Sequence, residues 1–317
     1  MDKTIDCIVC GTCTVDILVK PFPVEEPIGG GRLICVDPIE ATTGGIVSNS
    51  GMTLVRLGMR VAAFSYLGED AWASIVRAKY QAEGMDTSGL ISHPTAPTSA
   101  TAVLVDRSGE RSFAHHPGAP TLMDRALFLD RLDLFARSRM ALIGYYSLLP
   151  SLEADLPEVL ARIRQTGCQT ALDAAGDGGA LEPLDRCLPH LDVYVPSFAE
   201  ASRQTGQNEP ERIIEVFRRC GAEGLVGVKL GSRGALLSPR PGELVAIDAV
   251  PPPGPVLDTT GAGDAFYAGL VCGLLRGMDA HDAGRLAAAA GACCITGLGA
   301  SAGLRDFEQT AKLAGVA

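Results

Sequence analysis

A chain of 317 residues in which 47% are hydrophobic and 20% are charged has the composition of a folded globular protein, not of a disordered or fibrous one. The formal net charge of −10 argues against nucleic acid and anionic membranes as partners, because both are negatively charged. The apolar runs are short and interrupted by glycine, and the N-terminus lacks the apolar stretch of a signal peptide. We therefore expect a cytoplasmic protein that spans no membrane.

The ten cysteines are expected to be free thiols, because nothing in the sequence directs the chain to an oxidising compartment. Cys7, Cys10 and Cys13 have a C-x2-C-x2-C spacing that can hold an iron–sulfur cluster. They lie in "DCIVCGTCTVDILV", which predicts a buried strand. Because strand side chains alternate between faces, Cys7 and Cys13 point one way and Cys10 the other. We predict that these thiols pack in the core and bind no metal.

The first third of the chain predicts a strand at 5–13 and a small β element that is separate from the main core. Short apolar pieces within 14–45, including "DILVKPF" and "RLICVDPIEAT", are interrupted by proline and glycine and look like small strands. The stretches "TSATAVLVD" and "RSFAHH" predict a hairpin around "RSGE", so that 98–115 completes this element. Periodic apolar residues predict a helix, a strand and a second helix at 44–58, 60–68 and 70–84.

Beyond residue 140, strands and helices alternate. The predicted strands are 140–145, 169–174, 192–197 and 224–231, followed by the antiparallel pieces "GALLSP" and "ELVAID". The predicted helices are 152–166, 179–190, a helix from 198, 209–220, 261–276 and 280–296. This alternation predicts an α/β fold with a mostly parallel sheet and helices on both faces.

The stretch "DTTGAGDAFYAGL", residues 258–270, carries the clearest functional pattern. The prolines before it forbid a helix, whereas the residues after it favour one, so the turn formed by Gly261, Ala262 and Gly263 lies at a helix N-terminus. The first backbone N–H groups of a helix have no intrahelical partner, and the helix dipole adds positive charge there. The turn is therefore a predicted anion hole of a kind that suits phosphate.

Asp264 lies in the first turn of the same predicted helix. A carboxylate beside a phosphate-binding turn can take a proton from a substrate hydroxyl while the turn stabilises the charge on a phosphoryl group in transfer. The pattern therefore favours phosphoryl transfer to an alcohol. A protein that only binds a phosphosugar would also fit a phosphate site at a helix N-terminus.

Two pairs of aromatic residues end predicted strands. His115 and His116 are adjacent on a strand and point to opposite faces, so they are not expected to chelate one metal ion. Tyr145 and Tyr146 end the strand "MALIGYY", and open α/β sheets bind ligands at the carboxyl ends of their strands. Both tyrosines are candidates for the substrate pocket, Tyr146 in particular, with core packing as the alternative.

The motif "DTTGAGDAFYAGL" closely resembles the C-terminal signature of the PfkB (ribokinase-like) family of carbohydrate kinases. "GTCTVDILV" is similar to the family's first strand, and "TTGGIVSNSGMTLVRLGMRVAAFSYLGED" to its glycine-pair signature. "TAVLVDRSGERSF" and "VKLGSRGALL" also occur where the family places them. The resemblance covers the chain in order and implies one ribokinase-like α/β/α kinase domain over 1–317, with a β lid formed mainly by 14–45 and 98–115.

The resemblance implies a role for each matching residue. The implied catalytic set is Asp264 as base with the amides of Gly261, Ala262 and Gly263. The implied sugar-binding set is Asp16, Gly44, Gly45 and Asn49. The implied nucleotide-binding set is Lys229, Gly231, Ser232 and the helix around Ala287, with Glu200 serving Mg²⁺ and the phosphates of ATP. Ser197 stands where the family often has asparagine, and serine can still bind a water of the metal shell.

The resemblance also implies partners. Many members bind a monovalent cation such as K⁺ beside the anion hole, for which the matching residues are Asp258, Thr260, Cys294, Gly297 and Gly299. Lids in this family often pair between two chains, which implies a homodimer. A nucleoside kinase of the same fold is an alternative to a sugar kinase, although Phe22, Tyr145 and Tyr146 are the only obvious aromatic walls for a purine. A catalytically weak protein that binds a sugar or nucleotide and regulates another process is the third reading, supported by Ser197 alone.

Overall fold

The computed structural model describes residues 2–24, 26, 29–176 and 178–316. The strands are β1 (Ile5–Gly11), β2 (Thr14–Val19), β3 (Glu40–Gly44), β4 (Val61–Leu67), β5 (Asp86–Ser92), β6 (Ala100–Val105), β7 (Arg111–His116), β8 (Ser138–Gly144), β9 (Gln169–Asp173), β10 (Val193–Tyr194), β11 (Leu225–Lys229), β12 (Ala235–Ser238) and β13 (Val245–Ile247). The helices are α1 (Ile46–Arg56), α2 (Ala71–Ala82), α3 (Arg125–Leu129), α4 (Leu132–Ala136), α5 (Leu156–Gln165), α6 (Leu181–Cys187), α7 (Phe198–Thr205), α8 (Pro210–Arg219), α9 (Ala262–Leu275), α10 (Ala280–Cys294) and α11 (Phe307–Ala314).

Within the described ranges, nine strands form the large sheet, in the order β13-β12-β11-β10-β9-β8-β1-β4-β5. From β11 to β5 every neighbouring pair is parallel, whereas β12 and β13 pair antiparallel at the edge. In the centre of the sheet, Val9 of β1 lies between Ala63 of β4 and Leu142 of β8. Parallel strands need crossover connections, and the intervening helices provide them. The predicted mostly parallel sheet is confirmed.

Two hydrophobic clusters cover the two faces of this sheet. One contains buried residues of α1, α2, α9, α10 and α11, and the other contains buried residues of α3 to α8. Cys7 and Cys13 belong to the first cluster, whereas Cys10 belongs to the second, as strand alternation predicts. Helices on both faces of a central sheet make the three-layer arrangement expected from the sequence.

The small sheet has the strand order β3-β2-β6-β7 and is built from the two predicted lid segments. Asp16 of β2 lies between Thr42 of β3 and Thr101 of β6. The strand expected from the piece "RLICVDPIEAT" begins only at Glu40, and Leu33 is 93% exposed. The part of this piece before Glu40 has no neighbouring strand with which its backbone could pair. It therefore forms no strand, and the sequence prediction was wrong there. Positions 25, 27 and 28 of the predicted lid lie outside the described residues.

Within the ranges described here, no helix is long and apolar enough to cross a membrane.

Candidate active site

The turn before α9 has the backbone that the sequence predicts for an anion hole. Gly261 is the N-cap of α9 with φ 77°, a left-handed conformation that glycine tolerates best. A Cβ at this position would lie 2.4 Å from Cβ of Ala300, so the turn also needs glycine for space. Ala262, Gly263 and Asp264 form the first helical turn, where backbone N–H groups lack intrahelical partners, although the Ala262 amide donates to the Thr259 carbonyl before the helix at 3.2 Å.

Asp264 is 6% exposed and receives two hydrogen bonds on one oxygen. The Nδ2 of Asn49 donates to Oδ2 at 2.9 Å, and the hydroxyl of Tyr145 donates to the same atom at 2.7 Å. Among the residues that the structure describes, no donor contacts Oδ1. Burial raises the pKa of Asp264, and the hydrogen bonds from Tyr145 and Asn49 partly oppose this rise. The result is a buried carboxylate with one oxygen available and a basicity above that of a free aspartate.

Helix α1 joins the predicted sugar-binding residues to Asp264. It begins after Gly45, which has φ 81° and lies against the carbonyl of Thr12. The Asp16 carboxylate packs on Gly44, where an added Cβ would lie 2.3 Å from Oδ2. Asn49 follows one turn later and bonds Asp264. The start of α1 therefore contacts Asp16 through Gly44 and Asp264 through Asn49.

The Asp16 carboxylate is half-buried and polar in its surroundings. Burial raises its pKa, while a hydrogen bond from Thr101 and the nearby His115 lower it. The Nδ1 of His115 lies 3.0 Å from the Thr101 hydroxyl, so the small sheet supplies a line of hydrogen-bonding groups next to Asp16. This part of the site favours a ligand that carries hydroxyl groups.

The two tyrosines after β8 point to different places. Tyr145 has φ 55°, which turns its hydroxyl to Asp264. Tyr146 is 2% exposed, belongs to the opposite core cluster and donates to the carbonyl of Gly178 at 3.1 Å. The structure therefore brings Tyr145, not Tyr146, to Asp264, because consecutive side chains leave the strand end in different directions.

A buried ion pair between Asp173 and Lys229 lies at the ends of β9 and β11. Lys229 is predicted from the sequence, whereas Asp173 is not. Nζ of Lys229 is 3.1 Å from Oδ1 of Asp173, with side chains 12% and 3% exposed. Burial raises the pKa of Asp173 to about 7, and the charge of Lys229 opposes this rise. Burial alone would lower the pKa of Lys229, but Asp173, Glu200 and Asp264 raise it overall, so the ammonium stays protonated. A Cβ on Gly263 would lie 3.6 Å from Nζ, which places this charge beside the turn 261–263.

A cavity of about 590 Å³ opens beside the turn. It is lined by Lys229, Gly231, Ser232, Gly234, Ala249, Val250, Pro251, Pro252, Val256, Thr259, Ala262, Gly263, Phe266, Ala288, Gly291, Ala292 and Ile295. The predicted nucleotide contacts Lys229, Gly231 and Ser232 are among these residues. Ala287 is not: it is fully buried, and its Cα lies 2.8 Å from a Cβ built on Gly269. Helical periodicity explains the difference, since positions 288, 291, 292 and 295 share one face.

Ser197 and Glu200 form a capping box at the start of α7. The Ser197 amide donates to Oε2 of Glu200 at 2.7 Å, and the Glu200 amide donates to the Ser197 hydroxyl at 3.3 Å. The negative charge of Glu200 also raises the pKa of Asp173, Lys229 and Asp264, so it lies within electrostatic range of these groups. Both residues thus have a structural contact and a position near the anion hole.

Asp258 lies three residues before Gly261 and is held by groups from three parts of the chain. Oδ1 accepts hydrogen bonds from the amide and hydroxyl of Thr260 at 3.0 and 2.7 Å. Oδ2 accepts from the Gly299 amide at 2.7 Å and from Nη2 of Arg111 at 2.6 Å. Burial would raise the pKa of Asp258, but these donors lower it well below its usual range. Arg111 comes from β7 of the small sheet, and the sequence analysis gave it no role.

The fold and the site together define an α/β protein with a glycine turn and a buried carboxylate at the N-terminus of α9. Residues 12–306 match the family described as pfkB family carbohydrate kinase. The chain therefore belongs to this family, which confirms the resemblance and the predicted carbohydrate-kinase class.

Relatives agree with this assignment. An uncharacterized sugar kinase of Archaeoglobus fulgidus is 29% identical over 259 residues, which cover 80% of this chain and 98% of the relative. Ribokinase of Arabidopsis thaliana is 27% identical over 326 residues, covering 96% of this chain and 80% of the relative. The structure of Arabidopsis thaliana ribokinase complexed with ribose and ATP superposes with a TM-score of 0.82 at 24% identity and covers 99% of both chains. This similarity confirms the ribokinase-like fold.

Proposed function

We propose that the protein transfers the γ-phosphoryl group of ATP to a hydroxyl of a small sugar. The observation that carries the proposal is the environment of Asp264. This carboxylate is buried in the first turn of α9, has raised basicity, and keeps Oδ1 available among the described contacts. A hydroxyl bound at Oδ1 would lose its proton to Asp264 while facing the anion hole.

Several side chains and backbone amides of the chain would each contribute to the phosphoryl transfer. Asp264 takes the proton of the attacking hydroxyl, and Asn49 and Tyr145 fix the orientation of its carboxylate. The amides of the turn 261–263 stabilise the charge on the phosphoryl group. Lys229 adds a positive charge next to Gly263, and Asp173 holds the ammonium in place.

The sugar would bind between the small sheet and α1. Asp16, Gly45 and Asn49 lie there with hydrogen-bonding groups, and Gly44 leaves room for the Asp16 carboxylate. ATP would occupy the cavity of about 590 Å³ between Gly231 and the α10 face at Ala288. This arrangement would bring the terminal phosphate to the turn 261–263, because Ala262 and Gly263 line the cavity.

Mg²⁺ fits this site, because carboxylate oxygens are its preferred protein ligands and Glu200 supplies one near Lys229. Glu200 would hold the ion through its shell, and the Ser197 hydroxyl would bind one of its waters. When bound, Mg²⁺ would neutralise phosphate charge.

The small sheet would act as a lid within one kinase domain and would also pair two chains. The exposed outer strand of the small sheet supports the pairing of two chains. The β7 residues after Arg111 are exposed, and among them Phe113 is 64% exposed. Light scattering coupled to size-exclusion chromatography tests this proposal. We expect the mass of two chains, and a single-chain mass at all concentrations would contradict it.

The proposed reaction is tested by measuring ADP formation with Mg²⁺ across hexoses, pentoses, sugar acids and nucleosides. We expect turnover with one sugar class. Turnover with nucleosides alone would identify a nucleoside kinase. ATP binding without turnover for any compound would instead support a regulatory protein and direct attention to Ser197.

A further inference from the structure

The contact between Arg111 and Asp258 joins the small sheet to the anion-hole turn across 147 positions of sequence. Nη2 of Arg111 donates to Oδ2 of Asp258 at 2.6 Å, and Nη1 donates to the Thr260 hydroxyl at 3.1 Å. The side chains of Arg111 and Asp258 are 28% and 7% exposed, so the pair is partly shielded from water. The guanidinium therefore spans two of the residues that the family resemblance assigns to a monovalent cation.

The residues present do not fit a monovalent cation in this arrangement. Such an ion needs oxygen atoms whose lone pairs point at it, but both oxygens of Asp258 already accept two hydrogen bonds each. The carbonyl of Thr260 faces the Cys294 thiol at 3.5 Å, and the carbonyl of Cys294 accepts from the Gly297 amide at 3.3 Å. Gly299 presents its N–H group, not its carbonyl, to Asp258.

We propose that the guanidinium of Arg111 supplies the positive charge that a monovalent cation would otherwise supply beside the anion hole. It neutralises Asp258 and holds the loop 258–260, which leads directly into the turn 261–263. The inference rests on the proposed kinase function and specifies how that site is maintained. It assigns to Arg111 a positioning role, since its guanidinium contacts the loop and acts on the reacting groups through it.

The planar fork of arginine matters for this role. Two nitrogens of one guanidinium contact two different residues of the loop, which a single ammonium group cannot reproduce with the same geometry. Lysine at position 111 would keep the charge but lose one of the contacts. The structure therefore predicts that Arg111→Lys is intermediate between the native chain and Arg111→Ala.

The test compares the native chain, Arg111→Ala and Arg111→Lys with Arg107→Ala as the matched control. Arg107 lies in the exposed turn of the same hairpin, before β7. Turnover with the accepted sugar is measured in buffers of tetramethylammonium or potassium chloride at equal ionic strength. We expect the native chain and the control to be unaffected by K⁺. Arg111→Ala should lose about tenfold or more in kcat without K⁺ and recover most of it when K⁺ is added.

A second readout does not depend on activity. Tl⁺ has nearly the size of K⁺, and its binding is observed by thallium NMR. We expect binding to Arg111→Ala and none to the native chain. Melting curves show whether each variant is folded, and K⁺ should raise the Tm of Arg111→Ala only.

Three results would overturn the inference: strong K⁺ activation of the native chain, full activity of Arg111→Ala without K⁺, or loss of activity that K⁺ does not restore. Absence of turnover in the native chain with every sugar would count against the proposed function instead. In that case Tl⁺ binding and melting still decide the role of Arg111.

Discussion

The proposed phosphoryl transfer depends on the carboxylate of Asp264, and the groups around this carboxylate determine its basicity. The Tyr145 hydroxyl stabilises the charged form and so lowers the pKa, against the larger effect of burial. A base must be deprotonated to act, so kcat/KM should fall as the pH drops through the pKa of Asp264.

Replacing Tyr145 by Phe should move this acidic limb to higher pH, because the donor that favours the carboxylate is lost. The measurement is the pH profile of kcat/KM. Tyr146→Phe is the matched control, since its hydroxyl contacts Gly178 and not Asp264. An unchanged limb in Tyr145→Phe would show that Asp264 does not titrate in this profile.

Sequence patterns identify the residues of a site when they sit in one local motif. The turn 261–263 and Asp264 are predicted from a helix start alone, whereas Asn49 is predicted only through the family resemblance, which includes the glycine pair before α1. Tyr145, Asp173 and Arg111 contact residues that are 119, 56 and 147 positions away in the sequence. No local spacing therefore predicts these contacts. The family resemblance points to the helix around Ala287, and this helix lines the cavity through Ala288, whereas Ala287 itself is buried in the packing against α9, which local sequence does not specify.

At the scale of elements, the N-terminus of α9 should be sensitive to any side chain at Gly261. Gly261→Ala adds a methyl group 2.4 Å from Cβ of Ala300 at φ 77°, so either the turn or the loop around Ala300 has to move. We expect a large loss of kcat and a destabilisation of about 1–2 kcal/mol. Gly254→Ala is the control, because its added Cβ would approach nothing closer than 3.9 Å. Native kcat in Gly261→Ala would contradict the role of the turn.

Elements with strong periodicity were predicted, and weakly patterned ones were missed. The unpredicted strand β5 has buried residues only at Gly89 and Leu90, which leaves no clear alternation. The five-residue helices α3 and α4 are too short to show a helical period. Helix α11 packs its buried residues against α10, and the sequence analysis gave that segment no element.

At the scale of the whole molecule, Asp6 of β1 links three strands of the large sheet through hydrogen bonds. It accepts hydrogen bonds from Arg60, just before β4, and from Arg139 of β8. The hydrogen bond from Arg60 lowers the pKa of Asp6 to about 2, despite an opposing effect of burial. The lowered pKa means that this stabilisation is present above the ordinary value of 3.8 and is lost as the pH falls through about 2.

Asp6→Asn should therefore reduce the free energy of unfolding at neutral pH by about 1 kcal/mol, a value discounted because Arg60 is largely exposed. Chemical denaturation measures the change, and the difference from the native chain should shrink at acidic pH. Glu215→Gln removes an exposed ion pair with Arg212 and should leave stability nearly unchanged, because water screens that pair. Equal effects of the two variants would show that Asp6 contributes no more than a surface pair.

The mostly parallel sheet and the three layers were predictable because alternating strands and helices admit few topologies, whereas no strand order was predicted from the sequence. The contact between the small sheet and the turn before α9 was not predictable. It depends on the ion pair between Arg111 and Asp258, which are far apart in the sequence.

The most direct test of the central claim is the kcat of Asp264→Asn with the accepted sugar, measured beside its affinity for ATP. The account predicts a loss of about 10²- to 10⁴-fold in kcat with nearly unchanged ATP binding, because the amide keeps the shape of the side chain but cannot accept the proton. A kcat within about threefold of the native value would contradict the assignment of Asp264 as the base.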